Sequence, residues 1–158
     1  MTGRKTELKS QKGEIGGTRI VEIPNTEIAK LNKKGEKMRL SEQLRKRTKQ
    51  YAATVIRLFV KLPIRRKEVQ VVGEQLLRSG TSVAAHVREA SRARSNAEFC
   101  SKIDGALQEA DESGLWLELL QDDCGIRSDE LVSLLGETNE LIAIFTTMMN
   151  KTKSRIAD

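Results

Sequence analysis

Residues 95–125 read SNAEFCSKIDGALQEADESGLWLELLQDDCG, and this stretch decides the fold. Ser95-Asn96-Ala97-Glu98 has the form of a capping box, in which the Ser95 hydroxyl accepts the amide three residues on and the Glu98 carboxylate reaches back. Behind it, Phe99, Ile103, Ala106, Ala110, Ser113, Leu117, Leu120 and Cys124 recur at steps of four and three. That spacing keeps one stripe of a helix against a bundle seam. Gly125 follows as the residue best able to end the helix in a left-handed conformation.

The flanking segments supply partners for that stripe. A helix over about Arg66 to Arg92 carries Val69, Val72, Leu76, Val83, Val87 and Ala90 on one face. Its weak patch, Ser79-Gly80-Thr81-Ser82, includes an interior glycine that costs about 1 kcal/mol relative to alanine. Small residues there predict a neighbouring helix at close range. Upstream, Leu44, Tyr51, Val55, Leu58, Phe59 and Leu62 mark another amphipathic helix. Ser41 suits its N-cap, and Pro63 ends it by keeping the preceding residue out of the α region. Downstream, Ser128-Asp129-Glu130 opens a fourth helix with the stripe Leu131, Leu134, Leu135, Thr138, Leu141, Ile142, Phe145, Met148 and Met149. The loops around Pro63, Ala93-Arg94 and Gly125-Ile126-Arg127 are short, and short loops make sequential helices antiparallel neighbours. The expected fold is an all-α, up-down-up-down four-helix bundle over residues 41–158. Residues 1–40 have no period and are interrupted by Gly3, Gly13, Gly16, Gly17 and Gly35. They are expected to form a basic, largely flexible N-terminal arm.

Charge is unevenly spread along the 158 residues, whose net charge is +6. Residues 1–50 hold 14 Lys and Arg against 6 Asp and Glu, and the remainder hold 14 against 16. The N-terminal third is therefore the basic part, a pattern that points to a polyanionic partner. The topology also gathers cations at one end, the near pole, where the first helix starts. Arg45, Lys46, Arg47 and Lys49 lie there, with Arg88, Arg92 and Arg94 from the second helix and its turn, and Lys151, Lys153 and Arg155 from the end of the fourth. Arg88 and Arg92 are four apart and share a face. These ten residues are the expected nucleic-acid-binding surface, working through phosphate contacts. Glu42, Glu89 and Glu98 are the carboxylates placed to neutralise some of them. With only 3% aromatic residues, binding is expected to read shape and backbone more than sequence; the expected target is structured RNA more than DNA.

Catalytic constellations are missing from the sequence. His86 is the only histidine, so one chain cannot supply a two-histidine metal site. Glu109-x-x-Glu112 lacks the histidine of the ferritin-like di-metal pattern, and no phosphate-cradling glycine loop is present. The expectation is a non-enzyme with no cofactor and no metal. Cys100 and Cys124 sit inside helical patterns and read as reduced thiols of a cytoplasmic protein. No apolar run is long enough to span a membrane, and residues 1–17 have no apolar core of a signal peptide. Ile56, Val60, Val71, Leu77 and the run Leu115-Trp116-Leu117 add apolar surface beyond the four stripes. A helix apolar on more than one face is usually covered on more than one face, so a homo-oligomer is expected.

Three strings carry a family resemblance: Gln75-Leu76-Leu77-Arg78-Ser79-Gly80-Thr81-Ser82-Val83-Ala84-Ala85-His86-Val87-Arg88-Glu89-Ala90, Ala93-Arg94-Ser95-x-Ala97-Glu98-Phe99, and Glu109-Ala110-Asp111-Glu112-Ser113-x-x-Trp116-Leu117-Glu118-Leu119. Together they resemble the four-helix bundle proteins of 23S rRNA intervening sequences, over about Arg47 to Met149. The resemblance implies an up-down bundle, often a homopentamer, with no established enzyme activity. That family is similar in fold to the accessory variability determinant of diversity-generating retroelements, a basic pentamer that binds nucleic acid and a reverse transcriptase. Two function classes follow. One is a nucleic-acid-binding accessory protein; the alternative is an interaction scaffold docking onto a reverse transcriptase or another nucleoprotein enzyme. This chain departs from the family at His86, where an Asn is usual.

Overall fold

A computed structural model describes residues 40–157, with side chains through Ser154. The expected arm, apart from Leu40, lies outside the described residues. Four helices follow in order: α1 (Glu42–Lys61), α2 (Lys67–Ala90), α3 (Asn96–Asp122) and α4 (Asp129–Ala157). Each of three starts is fixed by a serine. Ser41 Oγ accepts from Leu44 N at 3.1 Å, Ser95 Oγ from Glu98 N at 3.1 Å, and Ser128 Oγ from Leu131 N at 3.1 Å. Each of these bonds satisfies an amide that the helix itself cannot pair. The Glu98 carboxylate reaches back one residue further than expected, to Arg94 N at 2.8 Å. That bond holds its carboxyl below the usual carboxylate range. At the end of α3, Gly125 takes φ +68°. The turn sends Ile126 N back to Leu120 O at 2.9 Å. Helix α2 stops at Ala90, two residues short of the expected Arg92, and the chain tightens through Arg92 N to Glu89 O at 2.9 Å.

The helices run up, down, up, down. Across α1 and α4, Lys61 meets Glu130 and Tyr51 meets Thr138. Across α2 and α3, Arg78 meets Glu112 and Glu89 meets Lys102. Numbers rise on one helix as they fall on its partner, as antiparallel neighbours require. The predicted α3 stripe is buried from Phe99 to Cys124. Phe59, Val72, Leu135 and Ile142 are half-buried at the edge of the core, and Ile144, outside the predicted α4 stripe, is buried.

Gly80 carries the closest helix approach. A Cβ there would lie 2.7 Å from Val55 Cγ2, so α1 packs directly on the α2 backbone. Gly73 makes a second such contact, with Leu62 Cδ1 2.8 Å from the same added atom.

At mid-height the core is crossed by hydroxyls, one from each helix: Tyr51, Ser79, Ser113 and Thr138 are all buried. Ser79 Oγ and Ser113 Oγ are 2.8 Å apart, and Tyr51 Oη and Thr138 Oγ1 are 2.7 Å apart. Thr138 also donates to Leu134 O at 2.8 Å, and a hydroxyl has one proton. Tyr51 is therefore the donor in its bond to Thr138.

Candidate nucleic-acid interface

At the near pole, the first turns of α1 lie beside the last turns of α2 and leave a groove of about 550 Å³ between them. Arg45, Lys46 and Lys49 line it from α1, and Arg88 and Arg92 from α2 and the turn that follows. Its floor is small and apolar, formed by Ala84, Ala85 and the buried Val87. The α1–α2 register explains the arrangement. Gly80 meets Val55 and Gly73 meets Leu62. Continued toward the near pole, this register sets Lys49 level with His86 and Arg45 level with Ala90, so that Arg88 falls between the levels of Arg45 and Lys49. Residues four apart on each helix are one turn apart, about 6 Å along the axis. The result is a staggered set of cations from the two sides of the groove, with Arg92 on the turn past the end of α2.

These charges are poorly neutralised. Arg45, Lys49, Arg88 and Arg92 are exposed and form no ion pair among the described residues. The one acid in the lining, Glu42, pairs with Lys46 at 2.8 Å. Both partners are largely exposed, and such a pair contributes little. Glu89 turns away to α3, where Lys102 Nζ donates to it at 2.6 Å and lowers its carboxyl pKa. The α1 cations also sit near the positive end of their helix dipole, which disfavours them.

The other expected interface residues lie elsewhere. Arg47 is two positions from Arg45 and faces the opposite side of α1. Its guanidinium donates to Glu137 Oε1 at 2.6 Å and to Glu140, tying α1 to α4. The Glu137 bond raises its pKa further, so its charge is fixed and spent locally. Arg94 pairs with Glu98 at 3.4 Å on the α2–α3 turn. Lys151 and Lys153 are exposed on the last turns of α4, away from the groove, and Arg155 lies beyond the described side chains. The structure thus brings together five of the ten expected residues.

Among the described residues no group of His, Cys, Asp and Glu is arranged to hold a metal ion. Of helix α3's acids, Glu112 is exposed with Arg78 3.9 Å away, and Glu109 is half-buried. Cys100 and Cys124 are free thiols, and burial pushes the Cys100 pKa up. His86 packs over Gly105, where an added Cβ would lie 2.9 Å from the ring, and its Nδ1 is 3.9 Å from Glu89 Oε2. No described helix is long and apolar enough to cross a membrane.

The described residues thus form an all-α, up-down four-helix bundle with a basic groove at one pole. Residues 43–147 match the family described as 23S rRNA-intervening sequence protein, and the chain belongs to that family. A solved structure is similar at a TM-score of 0.61 and 31% identity, over 67% of this chain and 97% of the other. It is described as a protein of unknown function from the S23 ribosomal protein family of Bacteroides thetaiotaomicron. No curated protein matches the sequence.

Proposed function

We propose that this protein is a non-enzymatic, cytoplasmic RNA-binding accessory protein that grips phosphates in the α1–α2 groove. The observation that carries this reading is the set of four cations, Arg45, Lys49, Arg88 and Arg92, that line one groove and form no ion pair among the described residues. Like charges gathered along one groove repel, and a folded protein keeps such an arrangement at a cost in stability that an anion relieves. The family description, in which an RNA is named, supports RNA over DNA. The basic segment 1–40 joins the bundle at Ser41, at the mouth of the groove, and would extend the same phosphate contacts. A homo-oligomer, a pentamer by the family resemblance, would multiply these contacts through avidity.

The test is fluorescence anisotropy with a structured RNA across a salt series. The full chain should bind with a steep salt dependence. Arg88→Gln together with Arg92→Gln should weaken binding at least about tenfold and lower the salt slope by about one per lost phosphate contact. Absence of binding at low salt would overturn the reading. It would leave the second one, a scaffold docking onto a reverse transcriptase or other nucleoprotein enzyme, which the exposed Ile56, Val60, Val71 and Leu115 favour.

A further inference from the structure

We infer that the half of the bundle away from the groove carries both sides of one contact between copies of this chain. The outer α1–α2 face of one copy seats the outer α3–α4 face of the next, with both copies pointing the same way. None of the residues involved lines the basic groove, so the inference goes beyond the RNA reading and does not rest on it.

Three observations carry the inference. The first is exposure. Among the described residues, the exposed large apolar side chains are Ile56, Val60, Ile64 and Val71 on α1, α2 and their turn, and Leu115 and Val132 on α3 and α4. Each helix packs on the next and α4 on α1, so the α1–α2 and α3–α4 faces are on opposite sides of the bundle. The second is level. Ser79 meets Ser113, so Leu115, two residues on, stands level with Leu77 of α2. The contacts of Gly80 with Val55 and of Gly73 with Leu62 set Leu77 level with Leu58 of α1. Tyr51 meets Thr138 and Lys61 meets Glu130, which sets Val132 level with about Leu58 as well. Ile56 and Val60 flank that level. A copy moved sideways without being turned over therefore brings apolar residues onto apolar residues. The third is charge. Residues 61–68 hold four cations and one acid, and residues 118–130 hold five acids and one cation. Arg65 and Lys67 form no ion pair among the described residues, and neither do Glu118, Asp122 and Asp129. The same register sets Glu118 level with Lys61, and Asp122 level with the turn that carries Arg65 and Lys67. The sideways move thus also sets acids against cations, which favours this pairing over others. Two α1–α2 faces do not suit each other. Each is basic at both ends, at the groove and again at Arg65 and Lys67, so cations meet cations in either orientation. Pairing of unlike faces is head to tail, and its repetition builds a ring or a filament. Every groove then opens at the same pole of the assembly.

The experiment measures the mass of the full chain by light scattering. Three proteins are compared: wild type, Ile56→Glu/Val60→Glu, and Leu115→Glu/Val132→Glu. All four replaced side chains are exposed, and circular dichroism confirms that each variant is folded. Wild type should exceed the 17.7 kDa of one chain. Each variant alone should fall to one chain, because it lacks one of the two faces. An equimolar mixture of the two variants should form a complex of two chains, since the intact α1–α2 face of one meets the intact α3–α4 face of the other. Wild type at the mass of one chain would overturn the inference. A variant that keeps the wild-type mass would overturn it too, because its altered face is then not needed. So would a mixture that stays at one chain.

Discussion

Tyr51 is the only tyrosine in the chain, and its hydroxyl is buried and donates to Thr138. Burial raises its pKa above the ordinary value of 10.0. The consequence for stability has a definite sign. Below about pH 10 both folded and unfolded chains keep the proton, and Tyr51 adds no pH dependence. Above it the unfolded chain loses the proton first, so stability falls by up to about 1.4 kcal/mol per pH unit from this residue. Urea unfolding of wild type and Tyr51→Phe near pH 9 and 11 isolates the effect, because the lysines titrate in both. The wild type should lose more stability over that range, and tyrosinate absorbance should appear together with unfolding. Tyrosinate forming in the folded protein at its ordinary pKa would contradict the buried bond. The sequence placed Tyr51, Ser113 and Thr138 on the core faces of their helices. It did not reveal that they meet, with Ser79, at one height, because periodicity gives a residue's direction but not its level across the bundle.

The close approach of α1 to α2 belongs to the scale of elements. Gly80→Ala brings better helix propensity, worth about 1 kcal/mol. It also places a methyl 2.7 Å from a Val55 methyl. Overpacking of this kind costs about 1–3 kcal/mol, so a net loss of about 1 kcal/mol is expected. Val55→Ala should offset part of it, giving a favourable coupling in a double-mutant cycle read by chemical denaturation. Additive effects would mean that the two helices separate without strain. All four helices were legible in the sequence from their stripes, and α1, α3 and α4 from their caps as well. The interface was only half legible. Connectivity gathered ten cations at one pole. Which of them share a groove depends on rotation about each helix, and Arg47 shows why that matters. Two positions along from Arg45, it points to α4 and spends its charge on Glu137 and Glu140.

For the whole molecule, the bundle leaves Ile56 at 46%, Val60 at 76% and Val71 at 45% exposure on α1 and α2. Apolar residues grouped on one surface tend to mark an interaction site. If the proposed homo-oligomer uses this surface, Val60→Glu with Ile56→Glu should shift the mass measured by light scattering toward the monomer. Neither side chain is buried, so the fold should persist. An unchanged mass would move the assembly surface elsewhere, with Leu115 and Val132 as the remaining large exposed apolar residues on α3 and α4. The up-down order has a consequence of another kind. The described chain enters at the pole that holds the groove, and α4 runs back toward that same pole. The turn at Gly125 lies at the opposite end. The sequence order of the helices is therefore separable from their arrangement in space. A circular permutant opened at Gly125, with a linker from the end of α4 to Ser41, would keep the four helices and the groove. It would also move the free ends to the far pole, where a surface tether or a fused reporter would leave the groove clear.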